Sequence, residues 1–351
     1  MAYISFQPSD NFSTKLYNGN NSTQSITGVG FQPDLTWLKS YDTAGTWHYL
    51  TDSVRGVGKQ LYSNSDSAQG SNPAVITAFD SDGFSLGDAS DTNGSGVDCV
   101  AWSWKAGTTT GIAGSPSITP SSYSFNQTSG FSIVRYTANN TAGATLPHGL
   151  GVAPDMALFK CDSYAENWNM YNKNLTGGTA ATYTIRLNNT AAEATTDNYN
   201  DTAQTSTTLF TVGNAGEINE GTRTYVAYFF KGIKGFSKMG SYIGTGSGGG
   251  DGPFIYTGFR PAFTICKIYD GNTNNWKMVD DKRPGYNLNN KTLNADSTAV
   301  ESTEDNCDYT ANGFKIRRNG NDVNGSGYKY IYMAFAEFPI VSSNSKAGVA
   351  R

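Results

Sequence analysis

The stretch that decides the fold reads GFQPDLTWLKS and covers residues 30–40. Two later stretches have the same design, GVAPDMALFKC at 151–161 and GFRPAFTICKI at 258–268. Each places a proline ahead of a short, largely apolar run in which side chains of one kind recur at every second position. Successive side chains of a β-strand point to opposite faces, so this period of two predicts a strand. The chain therefore contains one strand-forming sequence pattern three times.

Other residues recur at nearly fixed distances from the proline, so the repetition extends beyond this strand. A lysine follows each proline by six residues, a tryptophan follows it by 14 or 15, and a glycine follows each tryptophan by nine. The markers are Pro33, Lys39, Trp47 and Gly56, then Pro154, Lys160, Trp168 and Gly177, then Pro261, Lys267, Trp276 and Gly285. Agreement at so many spaced positions indicates an internal repeat with structural roles for these residues.

Each copy also closes on a second apolar run. The closing runs read CVAWSWKAG (99–107), YVAYFFKGI (225–233) and YIYMAFAEF (330–338), and each follows a segment of the type GFSLG, LFTVG or GFKIR. A phenylalanine of that segment precedes an alanine of the closing run by 17 residues in the first two copies. In the third copy Phe314 precedes Ala334 by 20, which predicts a small insertion there.

The repeat sets the domain organisation. The predicted boundaries are 1–107 for the first module, 108–130 for a linker, 131–234 for the second module, 235–340 for the third and 341–351 for a C-terminal tail. We call the three units the first, second and third repeats. A unit of about 100 residues is long enough to bury a core of its own. We therefore expect three complete modules in series, forming an elongated body.

Composition indicates the class of these modules. Only 15% of the residues are charged, 13% are aromatic, and there are 40 glycines. Short strands joined by polar turns fit this composition, and no segment carries a clear helical apolar stripe. We predict an all-β protein of three tandem antiparallel β-sandwiches, of the jelly-roll or lectin-like kind.

The sequence also disfavours several partners and locations. A net charge of −4 and the lack of a Lys/Arg run argue against nucleic-acid binding. No run of 18 apolar residues occurs, so we expect no membrane span. The first residues, MAYISFQPSDNF, lack the basic and apolar regions of a secretion signal.

The cysteines give no sign of a metal or redox centre. The four cysteines form no CxxC pair, and no pair of histidines lies near them in the sequence; they are Cys99, Cys161, Cys266 and Cys307. We expect buried free thiols, and a disulfide between two of them remains the alternative. No cofactor is predicted.

Catalytic and metal-binding candidates are few. His48 and His148 are interpreted as structural, and no Gly-x-Ser-x-Gly, HExxH or phosphate-loop motif occurs. Asp80 and Asp82 in FDSDGF are weak calcium candidates, although aspartate in a tight turn is the simpler interpretation. We predict a protein that is not an enzyme and has no resident metal.

Two further patterns have competing interpretations. Trp47, Trp168 and Trp276 are candidate glycan-stacking aromatics, but a recurring large aromatic is more often a packing residue. Arg55 and Arg283 stand beside Asp52 and Asp281, which predicts an ion pair that fixes the loop or, alternatively, a contact between subunits.

The motifs together carry a resemblance. The pattern VGFQPDLTWLKS…LTDSVRG…FDSDGFSLG…AWSWKAG, followed by GFSIVRYTANNTAGATLPHGLGVAPDMALFK, resembles a repeated β-module family in virion structural proteins of marine bacteriophages of the cyanophage and pelagiphage type. The ending YMAFAEFPIVSS…AR is also similar to that family. The second repeat departs from it, because YNKNLTG (171–177) replaces the DSVRG pattern.

The resemblance implies a function but no catalytic residues. It implies a β-sandwich component displayed on the phage particle, as a capsid decoration or fibre or as a tail-fibre component. Its expected partners are other virion proteins and further copies of the chain. A carbohydrate-binding adhesin or lectin that recognises a host cell-surface glycan is the alternative, and a glycan-degrading enzyme is a third hypothesis without a carboxylate pair to support it.

Overall fold

The computed structural model describes residues 7–176, 178–249, 251–285 and 287–338, so Gly177 and the predicted tail lie outside the described residues. This part of the chain is nearly all β, which confirms the predicted class. Its helical content is one short α-helix, α1 (Ser90–Asn93), and 3-10 turns at Pro8–Asp10 and Gly178–Ala180. All strand pairings are antiparallel.

The first repeat contributes a four-stranded sheet in the order β1-β9-β3-β4, a three-stranded sheet β2-β8-β7 and a small pair β5-β6. The strands are β1 (Phe12–Asn18), β2 (Gln24–Thr27), β3 (Leu35–Ser40), β4 (Tyr49–Asp52), β5 (Lys59–Gln60), β6 (Gly70–Ser71), β7 (Ala78–Asp80), β8 (Gly83–Leu86) and β9 (Asp98–Trp104).

The second repeat contributes a seven-stranded sheet in the order β10-β11-β18-β13-β14-β15-β16 and a pair β12-β17. The strands are β10 (Ser122–Asn126), β11 (Phe131–Thr137), β12 (Ala144–Pro147), β13 (Met156–Cys161), β14 (Asn169–Asn172), β15 (Tyr183–Arg186), β16 (Ala194–Thr195), β17 (Leu209–Val212) and β18 (Thr224–Phe230).

The third repeat contributes one eight-stranded sheet in the order β19-β26-β21-β22-β23-β24-β25-β20. The strands are β19 (Ser237–Ile243), β20 (Phe254–Tyr256), β21 (Phe263–Ile268), β22 (Lys277–Asp280), β23 (Asn289–Asn294), β24 (Ser302–Thr310), β25 (Gly313–Ile316) and β26 (Lys329–Phe335). The two end strands of this sheet come close together, since Lys238 on β19 donates to the carbonyl of Tyr256 on β20 over 2.6 Å.

The three repeats share one strand plan. The central strands β3, β13 and β21 each begin two residues after a buried marker proline and pair on one side with the closing strand, β9, β18 or β26. A residue that precedes proline favours extended backbone, which suits the entry to a strand. On the other side lie β4, β14 and β22, and Asp52, Asn172 and Asp280 end these strands at equivalent places.

The structure adds one detail to the sequence prediction and corrects another. The predicted linker 108–130 contains β10, which extends the second repeat's sheet by pairing with β11. The insertion in the third repeat is one residue instead of three, because Tyr332, and not Ala334, stands at the place of Ala101 and Ala227. The insertion was misjudged because residue type was used where only strand pairing fixes the register.

The core explains how the repeats are joined. Three apolar clusters each belong to a single repeat, around Phe84 in the first, Phe210 in the second and Phe314 in the third. A fourth cluster draws side chains from all three, including Trp104, Phe230 and Phe335. Phe335 contacts both others, at ring-centre distances of 5.6 Å from Trp104 and 6.1 Å from Phe230.

The expected elongated series of modules is therefore wrong. First and third repeats touch directly, since Phe12 stacks on Phe335 at 5.2 Å. One face of each main sheet packs on its own repeat and the other face on its neighbours. The shared core is well filled; a cavity between Leu158, Trp276 and Met333 measures about 10 Å³, which is too small for a ligand.

Candidate functional site: the interlocked boundaries between the repeats

One segment in each repeat reaches across to another repeat. These segments are residues 62–69, 186–193 and 294–301, and we call each a clasp. They follow structurally equivalent residues, because Leu61 bridges to Leu50 as Ile185 pairs with Met170 and Leu293 with Met278. The first clasp contacts the second repeat, the second contacts the third, and the third returns to the first.

Two sets of backbone hydrogen bonds repeat around this ring. In one set a clasp carbonyl accepts an N–H from the neighbouring repeat: Glu166 to Asp66 (2.9 Å), Asn274 to Thr190 (3.0 Å) and Gly45 to Thr298 (3.1 Å). In the other set the clasp donates: Gln69 to Asp162, Glu193 to Tyr269 and Glu301 to Tyr41, each over 2.9 Å. Bonded residues recur at the same spacing in all three clasps, so the boundaries are built alike.

A ring N–H completes each boundary. Trp168 donates its indole N–H to the carbonyl of Tyr62 (2.8 Å), and Trp276 donates to that of Arg186 (2.9 Å). His48 fills the same role at the third boundary, with its Nε2 placed 3.0 Å from the carbonyl of Asn294. All three ring-bearing side chains are at most 2% exposed. Buried carbonyls need such partners because desolvating them unpaired is costly.

The histidine at this position has a fixed tautomer. Trp37 donates its indole N–H to Nδ1 of His48 over 2.9 Å, so the proton of the neutral ring lies on Nε2 and points at Asn294. Burial holds the pKa of His48 well below its usual range. In the other repeats Leu158 and Ile265 stand where Trp37 stands, so the bulky ring has changed places between two facing strands.

The sequence alignment of the tryptophans is therefore off by one in the first repeat. His48, and not Trp47, is equivalent to Trp168 and Trp276. Trp47 is half-buried and packs its edge on Tyr62, with ring centres 4.6 Å apart. Trp168 and Trp276 lie in the shared core and leave no face for a sugar.

The predicted Asp–Arg loops hold their own clasps. In the first repeat Arg55 donates Nε to Asp52 (2.6 Å) and Nη1 to Gln69 (3.2 Å). Arg283 does the same in the third repeat, but its partner is Asp280 instead of the expected Asp281, at 2.7 Å. A glycine one residue after Arg55 and two residues after Arg283 takes a positive φ in the turn, 92° at Gly56 and 76° at Gly285.

The second repeat has no Asp–Arg ion pair in the equivalent loop. Asn172 and Leu175 replace the aspartate and arginine, and Leu175 joins the shared core. Glu193 at the end of the clasp then accepts the backbone N–H of Thr176 over 2.8 Å. The departure from the DSVRG pattern is thus a substitution of apolar burial for a buried ion pair.

The marker lysines are buried close to the boundaries between the repeats. Lys160 donates to the carbonyl of Asp66 (3.1 Å) and Lys267 to that of Thr190 (2.7 Å), both across a boundary. Lys39 stays within its repeat and donates to the carbonyl and hydroxyl of Thr46. Burial lowers the pKa of each of the three ammonium groups to about 8.

The weak calcium candidates are occupied by local hydrogen bonds. Asp82 accepts the backbone N–H groups of Gly28 (2.9 Å) and Gly30 (2.7 Å), which lowers the pKa of its carboxyl. Asp80 accepts the hydroxyl of Ser85 over 2.7 Å. In the part of the chain that the structure describes, no three His, Cys, Asp or Glu side chains converge on a common point.

The remaining candidates are buried as well. His148 accepts the N–H of Leu150 on Nδ1 (3.2 Å) and faces the carbonyl of Ser206 with Nε2 (3.3 Å), and burial lowers its pKa to about 4. The four cysteines are free and buried: Cys99, Cys161, Cys266 and Cys307.

Across the described ranges, no helix has the length and apolar character needed to cross a membrane.

Sequence reasoning missed the clasps, although they carry a signal. They read YSNSDSAQ, RLNNTAAE and NADSTAVE, with Asn or Asp at the third place and Gln or Glu at the last. The third residue accepts the backbone N–H of the ring-bearing residue: His48 to Asn64, Trp168 to Asn188 and Trp276 to Asp296. A search for a short polar motif at constant spacing from the strands finds this pattern.

Fold and boundaries together define an all-β protein whose three repeats are locked in a closed ring. The chain belongs to the family described as "Domain of unknown function (DUF7483)", whose model matches residues 7–339. The match runs through all three repeats as one unit, in keeping with their common core. No curated protein and no solved structure matches the chain.

Proposed function

We propose that the protein is a non-enzymatic structural component of a bacteriophage virion. In this proposal it is exposed on the particle as a capsid decoration or fibre or as a tail-fibre component. Its body consists of three β-sandwich modules of the jelly-roll or lectin-like kind, arranged in a ring instead of a row. The resemblance carried by the VGFQPDLTWLKS and AWSWKAG motifs supports the assignment to phage particles.

The closed ring of clasps is the observation that carries this proposal. Each boundary uses two backbone hydrogen bonds and one buried ring N–H, and the last boundary returns to the first repeat. Such a chain resists separation of its parts, because opening one boundary also exposes the shared core. Mechanical integrity of this kind suits a component of a particle that must survive outside the cell.

The histidines, the marker lysines and the cysteines, which serve as acids, bases and nucleophiles in many enzymes, are buried in this architecture. His48, His148 and Lys39 are buried, and their polar atoms bond to other groups of the protein. The cysteine thiols are buried too. Burial raises the pKa of Cys99 and Cys266 to about 12, which disfavours the nucleophilic thiolate. This arrangement supports a structural role over catalysis.

Assembly with neighbours is part of the proposal. The third repeat exposes apolar side chains at Ile243, Phe254 and Tyr256, which are 59%, 47% and 60% accessible. Phe254 and Tyr256 lie on β20, an end strand of its sheet, where the first repeat has Ser25 and Thr27. Other virion proteins and further copies of the chain are the proposed partners that bury such positions.

The test is to locate the protein on particles. Particles released from a lysed host culture are purified by density gradient, analysed by mass spectrometry and labelled with immunogold antibodies against the recombinant chain. We expect the chain in the particle fraction at a fixed ratio to the major capsid protein, with gold on either heads or tails. A chain found only in the soluble fraction of the lysate overturns the proposal.

A further inference from the structure

An open hollow lies at one end of the second repeat, outside the clasps. It is bordered by the loop after β13 and the turn before β18 and has a volume of about 400 Å³. Tyr164, Glu220 and Arg223 are the large side chains that line it. Tyr164 is 56% exposed, although Trp168 four residues later is fully buried. An exposed aromatic ring at the edge of a polar hollow is a candidate contact for a ligand.

The ring is held in one orientation. The guanidinium of Arg223 lies 4.6 Å from the centre of the Tyr164 ring and covers one of its two faces. Arg223 is fixed in turn by Glu166 (2.7 Å) and Glu220 (2.5 Å). Tyr164 is still 56% exposed with the guanidinium on one face, so the ring remains accessible to a ligand.

The backbone around the hollow is also fixed. The N–H of Thr224 donates to the hydroxyl of Ser163 over 3.0 Å, which ties the turn to the loop. Glu166 donates its N–H to the first clasp at Asp66, and Gly221, at a φ of 62°, donates to the side chain of Asn140 over 3.2 Å. The hollow is therefore formed before any ligand arrives, and ordering costs on binding are small.

The other two repeats show that the fold does not need these side chains. Counted three residues on from the ends of β3, β13 and β21, Tyr164 corresponds to Thr43 in the first repeat and to Gly271 in the third. The turn that contains Glu220 and Arg223 is made by Gly94-Ser95-Gly96-Val97 in the first repeat and by Gly325-Ser326-Gly327-Tyr328 in the third. The aromatic, the guanidinium and the carboxylates occur together only in the second repeat's version of this corner.

The chemistry of the hollow selects its ligand. An open aromatic face packs against the C–H face of a sugar ring, and carboxylate and guanidinium groups accept and donate hydrogen bonds to adjacent hydroxyls. The volume lies within the range of about 300–1,000 Å³ seen for small-ligand sites. Arg223, which lines the hollow, is paired with two carboxylates, Glu166 and Glu220, so these three side chains together carry a net charge of about −1 and disfavour acidic sugars.

We propose that the Tyr164–Arg223 hollow binds a neutral pyranose at the end of a glycan. The inference goes beyond the structural role proposed above, and its failure leaves that role intact, because location on a particle is measured separately. It also places carbohydrate binding at Tyr164 instead of at the predicted tryptophans Trp47, Trp168 and Trp276.

The test uses the full chain on an array of neutral and acidic glycans, followed by titration calorimetry with the best neutral oligosaccharide. Tyr164→Ala removes the stacking face, and we expect affinity to fall by about tenfold or more. Tyr164→Phe keeps the ring and retains binding. Tyr256→Ala is the matched control, since Tyr256 is an equally exposed tyrosine with Lys238 5.5 Å from its ring centre.

Three results overturn the proposal. The wild-type chain binds no glycan on the array, or it binds acidic glycans alone, or Tyr164→Ala binds as tightly as Tyr256→Ala. Circular dichroism and thermal unfolding of each variant verify that the fold is unchanged, which we expect because Tyr164 contributes to none of the apolar clusters.

Discussion

Trp168 of the second repeat donates its indole N–H to the carbonyl of Tyr62 in the first repeat over 2.8 Å. The same bond recurs between Trp276 and Arg186. Trp168→Phe or Trp276→Phe keeps an aromatic ring in the shared core but leaves a buried carbonyl unpaired. We expect each substitution to lower the free energy of unfolding by about 1–3 kcal/mol, measured by urea denaturation. Trp47→Phe is the control; an equal loss there contradicts the assignment of the boundary bonds.

The common core predicts that all three repeats unfold together. Each repeat carries a buried thiol, Cys99 in the first, Cys161 in the second, and Cys266 in the third. Thiol labelling at increasing urea, read by mass spectrometry of peptides, is expected to give one midpoint for all sites. A midpoint that differs between repeats shows instead that the repeats open separately.

The exchange of ring positions in the first repeat predicts strong coupling between Trp37 and His48. Trp37→Leu alone opens a cavity and removes the donor to His48, at a cost of about 2–5 kcal/mol. His48→Trp alone crowds two indoles into the core. The double variant restores the Leu–Trp pair that Leu158 and Trp168 form in the second repeat. A double-mutant cycle by urea unfolding is expected to give a favourable coupling of about 1–3 kcal/mol, and additive losses rule out the exchange.

The ion pair of the third repeat can be replaced by the apolar arrangement of the second. Arg283→Leu alone strands the buried carboxylate of Asp280, and we expect a loss of about 3–5 kcal/mol. Asp280→Asn combined with Arg283→Leu recreates Asn172 and Leu175, and at least half of that loss is expected to return. Calorimetric unfolding at neutral pH measures both variants. A double variant less stable than the single one contradicts this interpretation.

Acid is expected to destabilise the fold through His148. Burial lowers its folded pKa to about 4 from 6.5, so below pH 6.5 the unfolded chain takes up a proton that the folded chain refuses. Stability then falls with falling pH, by about 1.4 kcal/mol per pH unit between 6.5 and 4. The comparison is with His148→Asn, because Asp296, whose pKa burial raises to about 6, has the opposite effect in both proteins. Equal pH slopes for the two proteins refute the assignment.

The central strands were predictable because their information is local. A proline precedes each of β3, β13 and β21, at Pro33, Pro154 and Pro261. The alternation of side chains after each proline can be recognised from the sequence alone. The all-β class follows from the same pattern. Register within the loops was not predictable, since one residue more or less between Pro33 and His48 changes which side chain enters the core.

The closed ring was hidden for a different reason. A clasp such as 294–301 forms its hydrogen bonds with a repeat that is distant in sequence. The residues of the clasp do not indicate which repeat it will contact. Composition could suggest that a tryptophan is packed, but not that Trp276 reaches the second repeat while His48 reaches the third. The hollow at Tyr164 depends on the same kind of long-range arrangement, because it joins the loop after β13 to the turn before β18, some 60 residues apart.

The order in which the clasps are synthesised sets a delay for the nascent chain. His48 leaves the ribosome early, yet its acceptor Asn294 is translated 246 residues later. At about 5–20 residues per second, the first repeat waits roughly 10–50 s for its last neighbour. Until the third repeat is made, Trp102 and Trp104 lack Phe263 and Phe335, the rings that contact them in the folded protein, so part of the shared core stays open in the nascent chain.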